Sequence, residues 1–170
     1  MPGILINKKA VIVGGGRGIG KAIARAFAKS GAELLLIARS DHELTETQRE
    51  LSVSGKMEIM RVDISKEKDV LGVSQKVKEL WGNLHILVNA AAISGPIGPL
   101  IEAPTDEWRK TIEINLVGTF LAIKALAPLM TEPRGKIINF VGGGEGAYPN
   151  FTAYVASKGG IGRLTETVAV

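Results

Sequence analysis

Five short apolar runs punctuate the chain: Ala10 to Val13, Leu34 to Ala38, Met57 to Val62, Leu84 to Val88 and Lys136 to Val141. Each has the length of a strand, and the unbroken run Leu34 to Ala38 has the pattern of one covered on both faces. Between the runs the apolar spacing changes to three and four residues, which predicts helices. The first carries Ile19, Ile23, Ala26 and Phe27 on one face and ends near Ser30 and Gly31. The second, Asp41 to Val53, is rich in charge, with Leu44 and Leu51 inward. Ser65 is placed to cap a third, whose Val70, Val73, Val77, Leu80 and Trp81 lead to Gly82 as a stop.

A long helix is expected from Pro104–Asp106 towards Met130, with Trp108, Ile112, Leu116, Phe120 and Ile123 along one side. Asp106 and Glu107 suit its N-terminal dipole, and Pro128 should kink or end it. Pro133 and Gly135 punctuate, and a last helix begins near Thr152 and is still running at Val170. Strand and helix alternate throughout, so residues 1–170 read as one α/β domain with a parallel sheet and right-handed crossovers. Ligands of such sheets bind beyond the carboxyl ends of the strands. Gly14 to Gly20, Arg39, Asp63, Asn89 and Gly142 all fall at that end.

The first of these segments carries the clearest chemistry. Gly14, Gly15, Gly16, Gly18 and Gly20 crowd into seven residues between strand and helix. Glycines let a backbone turn sharply and approach a ligand, and the free N–H groups and dipole of the next helix favour a pyrophosphate. Flexible loops and methyltransferase-type sites give similar patterns, so the glycines alone leave the ligand open.

Composition narrows the class. The 170 residues are 45% hydrophobic and 22% charged, as in a folded globular domain, and contain no cysteine. A disulfide framework or thiolate metal site is thereby excluded. His42 and His85 are too scattered to suggest a metal centre. The formal charge of +4 is spread among acidic residues without a basic run, so a nucleic-acid partner is not expected. No stretch reads as long enough to span a membrane, and Met1 to Lys9 lacks a signal-peptide layout; no membrane partner is expected, and a cytoplasmic location is the default.

Near the end of the chain Tyr154 and Lys158 stand four residues apart, on one face of the last helix. A phenol ionises at a pKa of roughly 10, and a nearby ammonium favours its charged form. The pair is therefore suited to exchange a proton with a carbonyl or hydroxyl. With this pair the sequence resembles the short-chain dehydrogenase/reductase family from Lys8 to Val170. The resemblance rests on VGGGRGIG at Val13 to Gly20, VDIS at Val62 to Ser65, ILVNAAA at Ile86 to Ala92, INLVGTF at Ile114 to Phe120 and YVASK at Tyr154 to Lys158.

That resemblance implies a Rossmann-type doubly wound sheet of order 3-2-1-4-5 and a hydride transfer between a nicotinamide cofactor and a small carbonyl or secondary alcohol. Tyr154 would be the acid/base, Lys158 would also hold the nicotinamide ribose, and Asn115 would complete a water-linked proton relay. Cofactor contacts would fall to Gly14, Gly16, Arg17, Gly18, Ile19 and Gly20, to Arg39, and to Asp63 and Ile64. Asn89, Ala90 and Ala91 would wall the adenosine, and Tyr154 and Lys158 would close the site. Arg39 follows the second strand, where an acidic residue would hold a ribose 2′-hydroxyl, and Arg17 is near enough to share its ligand. Two guanidiniums suit a 2′-phosphate, so NADP(H) is preferred, with NAD(H) the alternative. The long and final helices of the family commonly form a dimer or tetramer interface, which implies a homo-oligomer.

Three departures qualify the expectation. Val13 stands for the family's usual threonine, and Asn89 to Ala92 reads NAAA rather than NNAG; each lost hydrogen bond is worth on the order of 1 kcal/mol. The family's serine, about a dozen residues before the tyrosine, is replaced by Val141 or Gly142, and Phe140 to Ala147 contains no hydroxyl. Losing one such donor typically costs about 100-fold to 1000-fold, unless N–H groups of Gly142 to Gly144 form a nest. Family members also continue past the last helix. The fifth strand would then be an open edge, covered by a partner chain or by the rest of a longer protein. The competing reading is a nucleotide-binding or assembly module without efficient turnover; a methyltransferase has no use for Tyr154 and Lys158.

Overall fold

The computed structural model describes residues 3–51, 56–130, 135–142 and 148–169. The expected helix end at Val53, Pro133, Gly143 to Ala147 of the second glycine loop and Val170 lie outside them. The strands are β1 (Lys9–Val13), β2 (Glu33–Ala38), β3 (Met57–Arg61), β4 (Ile86–Asn89) and β5 (Lys136–Asn139). All neighbours are parallel and the order is β3-β2-β1-β4-β5. The helices are α1 (Gly18–Lys29), α2 (Asp41–Leu51), α3 (Glu67–Trp81), α4 (Thr105–Ile112), α5 (Gly118–Leu126) and α6 (Thr152–Val168).

Side chains alternate across the sheet as strand geometry requires. Ala10, Ile12, Leu34, Leu36, Ile86 and Val88 pack with Ala24, Ala28 and Leu44 of α1 and α2. Val11, Val13, Leu35, Ile37 and Leu87 pack on the opposite face with Val73, Val77, Ala122 and Leu126 of α3 and α5. Both faces are therefore covered, which is the doubly wound arrangement. Each fully buried leucine or isoleucine contributes about 1.5–3 kcal/mol.

Several expectations need correction. The buried face of α1 is Gly20, Ala24 and Ala28; Ile23 and Phe27 are partly buried, while Ala26 is exposed and Ile19 is 60% exposed. Small residues face the sheet because the glycine turn brings the helix in close: a Cβ on Gly20 would lie 2.1 Å from the Gly14 carbonyl oxygen. Ser65 does not cap α3. Its hydroxyl donates to Asp63 Oδ1 at 2.7 Å, and the helix begins after Lys66 without a side-chain cap. Gly82 ends α3 as expected, in the left-handed region at φ 74°.

The expected long helix is interrupted. Glu113–Val117 forms a π turn between α4 and α5, and Ala127–Leu129, containing Pro128, closes the run as a 3₁₀ turn. The π turn sits at Asn115, whose carbonyl accepts the Thr119 hydroxyl at 2.6 Å and whose amide is turned inward. It shifts the helix phase, so Ile114, Asn115, Gly118, Thr119, Leu121, Ala122 and Leu126 are buried. Leu116 instead lies against Gly160 of α6, and Phe120 is exposed beside Lys124. The run Thr105–Leu129 spans 25 residues with mean hydropathy 1.5, so one stretch does meet the length and apolarity of a membrane span. Half of its window is buried in the fold, as in a core helix. The fifth strand stops at Asn139 rather than Val141 because its partner β4 ends at Asn89.

Candidate active site

The turn after β1 is shaped by conformation. Gly14 has φ 80° and Gly18 φ 54°, values that disfavour a side chain. A Cβ on Gly14 would also lie 2.8 Å from the Ala91 backbone nitrogen. The Gly14 and Gly15 N–H groups donate to the Ile37 carbonyl, and Thr47 Oγ1 donates to the Gly16 carbonyl at 2.9 Å. This turn aims the amino end of α1 outward. Arg17 precedes α1 without a side-chain cap, and its first turn carries no acidic residue. The amino end of a helix that opens beside a cavity, with no acidic residue in its first turn, fits a dinucleotide's diphosphate.

The cavity there has a volume of about 590 Å³. It is lined by Gly14, Gly16, Arg17, Gly18, Ile19, Arg39, Ile64, Ala90 and Ala91 among the expected residues. The exposed Ile19 thus has an explanation: it is an apolar wall of the cleft. Gly20, Asp63, Asn89, Asn115, Tyr154 and Lys158 do not line it. Gly20 supports the turn from behind. Asn89 is buried, its amide donating to Asn139 Oδ1 at 2.8 Å, which ties β4 to β5. Its own Oδ1 has no partner.

Asp63 lies just after β3, within reach of the charge on Arg39. Burial pushes its carboxyl up, but hydrogen bonds from the Ser65 hydroxyl and N–H, with Lys66 and Arg39 nearby, outweigh this and hold it below the usual carboxylate range. Sequence reading missed Ser40, Glu43, Ile93 and Ile114 in the cavity wall. It also missed Thr47, fully buried between Leu44 and Leu51 on the same face of α2; that spacing was the available signal.

A second cluster forms where α6 meets the carboxyl end of β5. Lys158 is 4% exposed; its Nζ donates to the Phe140 carbonyl at 2.7 Å and sits 5.7 Å from the centroid of the Tyr154 ring. Burial lowers the pKa of this amine. Tyr154 is half-buried, and its hydroxyl lies against Gly142: a Cβ added there would be 2.9 Å from Oη. Val141 is 63% exposed. Gly142 abuts the phenol and brings no hydroxyl. Nearby hydroxyls are committed elsewhere: Ser157 Oγ donates to the Tyr154 carbonyl and accepts from Asn115, and Thr152 Oγ1 accepts from Trp108. Gly143 and Gly144 of the expected nest lie outside the described residues.

Asn115 is fully buried and clamps the loop after β4. Its Oδ1 accepts the Ile93 N–H, and Nδ2 donates to the Ile93 carbonyl and to Ser157 Oγ, all within 3.0 Å. One amide thus joins the cavity wall at Ile93 to α6, three residues from Tyr154 along that helix.

Comparison with known proteins agrees with this arrangement. A family model described as short chain dehydrogenase matches residues 8–170. An uncharacterized oxidoreductase of Bacillus subtilis is 36% identical over 170 residues, covering 99% of this chain and 62% of that protein. The crystal structure of NAD+-bound xylitol dehydrogenase superposes with TM-score 0.94 at 29% identity, over 98% of this chain and 65% of that one. An NADP active-site complex of Pseudomonas aeruginosa RhlG gives TM-score 0.89 at 28% identity, over 99% and 69%. The chain spans about three fifths of the length of the Bacillus relative. By sequence and by fold, the chain belongs to the short-chain dehydrogenase family.

Proposed function

We propose that the protein is an NADP(H)-dependent oxidoreductase acting on a carbonyl or secondary alcohol. The observation that carries the reading is the joint placement of a glycine-built anion site at α1 and the Tyr154–Lys158 pair at the same end of the parallel sheet. Gly14, Gly16, Gly18 and Ile19 would hold the dinucleotide, whose nicotinamide, when bound, supplies or accepts the hydride. Tyr154 Oη gives a proton to the substrate oxygen during reduction and takes it back during oxidation. Lys158 lends positive charge to that oxygen, anchored by the Phe140 carbonyl. Asn115 keeps the loop at Ile93 and the α6 backbone in register, through which a proton relay would run.

Solved neighbours carry NAD+ in one case and NADP in another, so cofactor choice rests on this chain's own residues. Arg17 and Arg39 line one cavity, and two guanidiniums favour a 2′-phosphate. The substrate is a small molecule, and a homo-oligomer is the assembly the family resemblance favours. A second reading, a nucleotide-binding module with weak turnover, draws support from Gly142, which offers the phenol no hydroxyl neighbour.

The test is NADPH consumption with a panel of ketones and aldehydes, for the wild type and Tyr154→Phe. Loss of turnover by about 100-fold to 10,000-fold, with NADPH affinity within twofold, supports the enzyme. Tight NADPH binding without consumption of any carbonyl selects the binding module.

A further inference from the structure

We infer that Glu43 sets the cofactor preference of this cleft by holding Arg17 away from a 2′-phosphate. The inference rests on the NADP(H) reading above and adds to it a residue that opposes the two arginines. Glu43 lines the same cavity as Arg17 and Arg39, and its Oε1 lies 3.7 Å from Arg17 Nε.

Its position is built in. The Glu43 N–H donates to Ser40 Oγ at 3.2 Å at the start of α2. Its Cβ lies against Gly16, where an added Cβ would come within 2.9 Å of it. One turn further on, Thr47 Oγ1 holds the Gly16 carbonyl. The face of α2 that carries Glu43 therefore grips the glycine turn, which fixes the root of the side chain beside the cofactor site and leaves its carboxylate within reach of Arg17.

The consequence is a competition between like charges. A 2′-phosphate that engages Arg17 must take the guanidinium from Glu43 and bring its own negative charge beside a carboxylate. A 2′-hydroxyl meets no such repulsion and finds in the same carboxylate a hydrogen-bond acceptor. Glu43 thus narrows the advantage that Arg17 and Arg39 give to a phosphorylated ribose.

The probes are 2′,5′-ADP and 5′-AMP, which differ by the one phosphate, titrated by calorimetry into the full chain. Glu43→Gln should raise the affinity ratio of 2′,5′-ADP over 5′-AMP by about threefold to tenfold, with 5′-AMP binding unchanged or weaker. In an Arg17→Ala background the same substitution should gain less than half as much on a logarithmic scale. Thermal melts of each variant confirm the fold. An unchanged ratio in Glu43→Gln, or an equal gain in both backgrounds, overturns the inference. If Arg39→Ala weakens 2′,5′-ADP while Glu43→Gln leaves the ratio alone, the inference fails and the NADP(H) reading stands. If the wild type does not distinguish the two nucleotides and Arg39→Ala changes neither, that reading fails and takes the inference with it.

Discussion

The glycine turn after β1 and the Tyr154–Lys158 cluster of α6 stand at the same end of one sheet, yet they are held there by different means. The turn is positioned by backbone: positive φ at Gly14 and Gly18, a close approach to Ala91, and main-chain bonds to Ile37. The α6 cluster is positioned by side chains reaching across the fold, with Lys158 on the Phe140 carbonyl and Asn115 bridging Ile93 and Ser157. A backbone-built site tolerates change in its surroundings and fails when a glycine is replaced. A site held by buried polar side chains fails when one bond is removed, because the freed partner is left without water.

Asn115 gives the larger break of this comparison. Asn115→Ala removes three hydrogen bonds worth roughly 1 kcal/mol each, so a loss of about 3 kcal/mol in chemical denaturation is expected. If backbone packing at the π turn sufficed to hold the loop at Ile93, the loss would stay under about 1 kcal/mol. Nucleotide affinity should fall less than stability, since the amide does not line the cavity.

Asp63 sharpens the comparison on the nucleotide side with a smaller effect. Its folded pKa is depressed below 3.8, so the unfolded chain binds the proton first as the solution is acidified. The carboxylate's contribution to stability is complete above the unfolded pKa and is lost as pH falls through the folded one. Asp63→Asn should therefore flatten the decline in stability as pH falls below about 4, the unfolded value. An unchanged acid slope would mean that the Ser65 contacts do not bias ionisation.

The same division explains what the chain's letters could tell. The strand segments and the glycine turn follow from short-range rules of period and φ, and they were legible at Ala10–Val13, Leu34–Ala38 and Gly14–Gly20; the strand order, a matter of long-range pairing, came only with the family resemblance. The phase of the long helix was not, because the π turn at Asn115 depends on where Ile93 lies, twenty-odd residues earlier in the chain. Ser65 read as a cap, but Asp63 competes for its hydroxyl two residues away. Glu43 escaped notice because charge on an exposed helix has no period of its own. The packing of its stem on Gly16 and its approach to Arg17 mark it as part of the cleft. Whether Val141 or Gly142 takes the place of the family's serine was open in the sequence; the structure puts Gly142 against Tyr154 Oη.

Crystals of the protein soaked with NADP+ would show whether the glycine turn and Tyr154 serve one bound dinucleotide. The account predicts the diphosphate on the N–H groups at Gly18 and Ile19, and the nicotinamide ribose within hydrogen-bond distance of Tyr154 Oη or Lys158 Nζ. Density for the dinucleotide with its diphosphate away from the glycine turn, or with the nicotinamide turned from Tyr154, would contradict it.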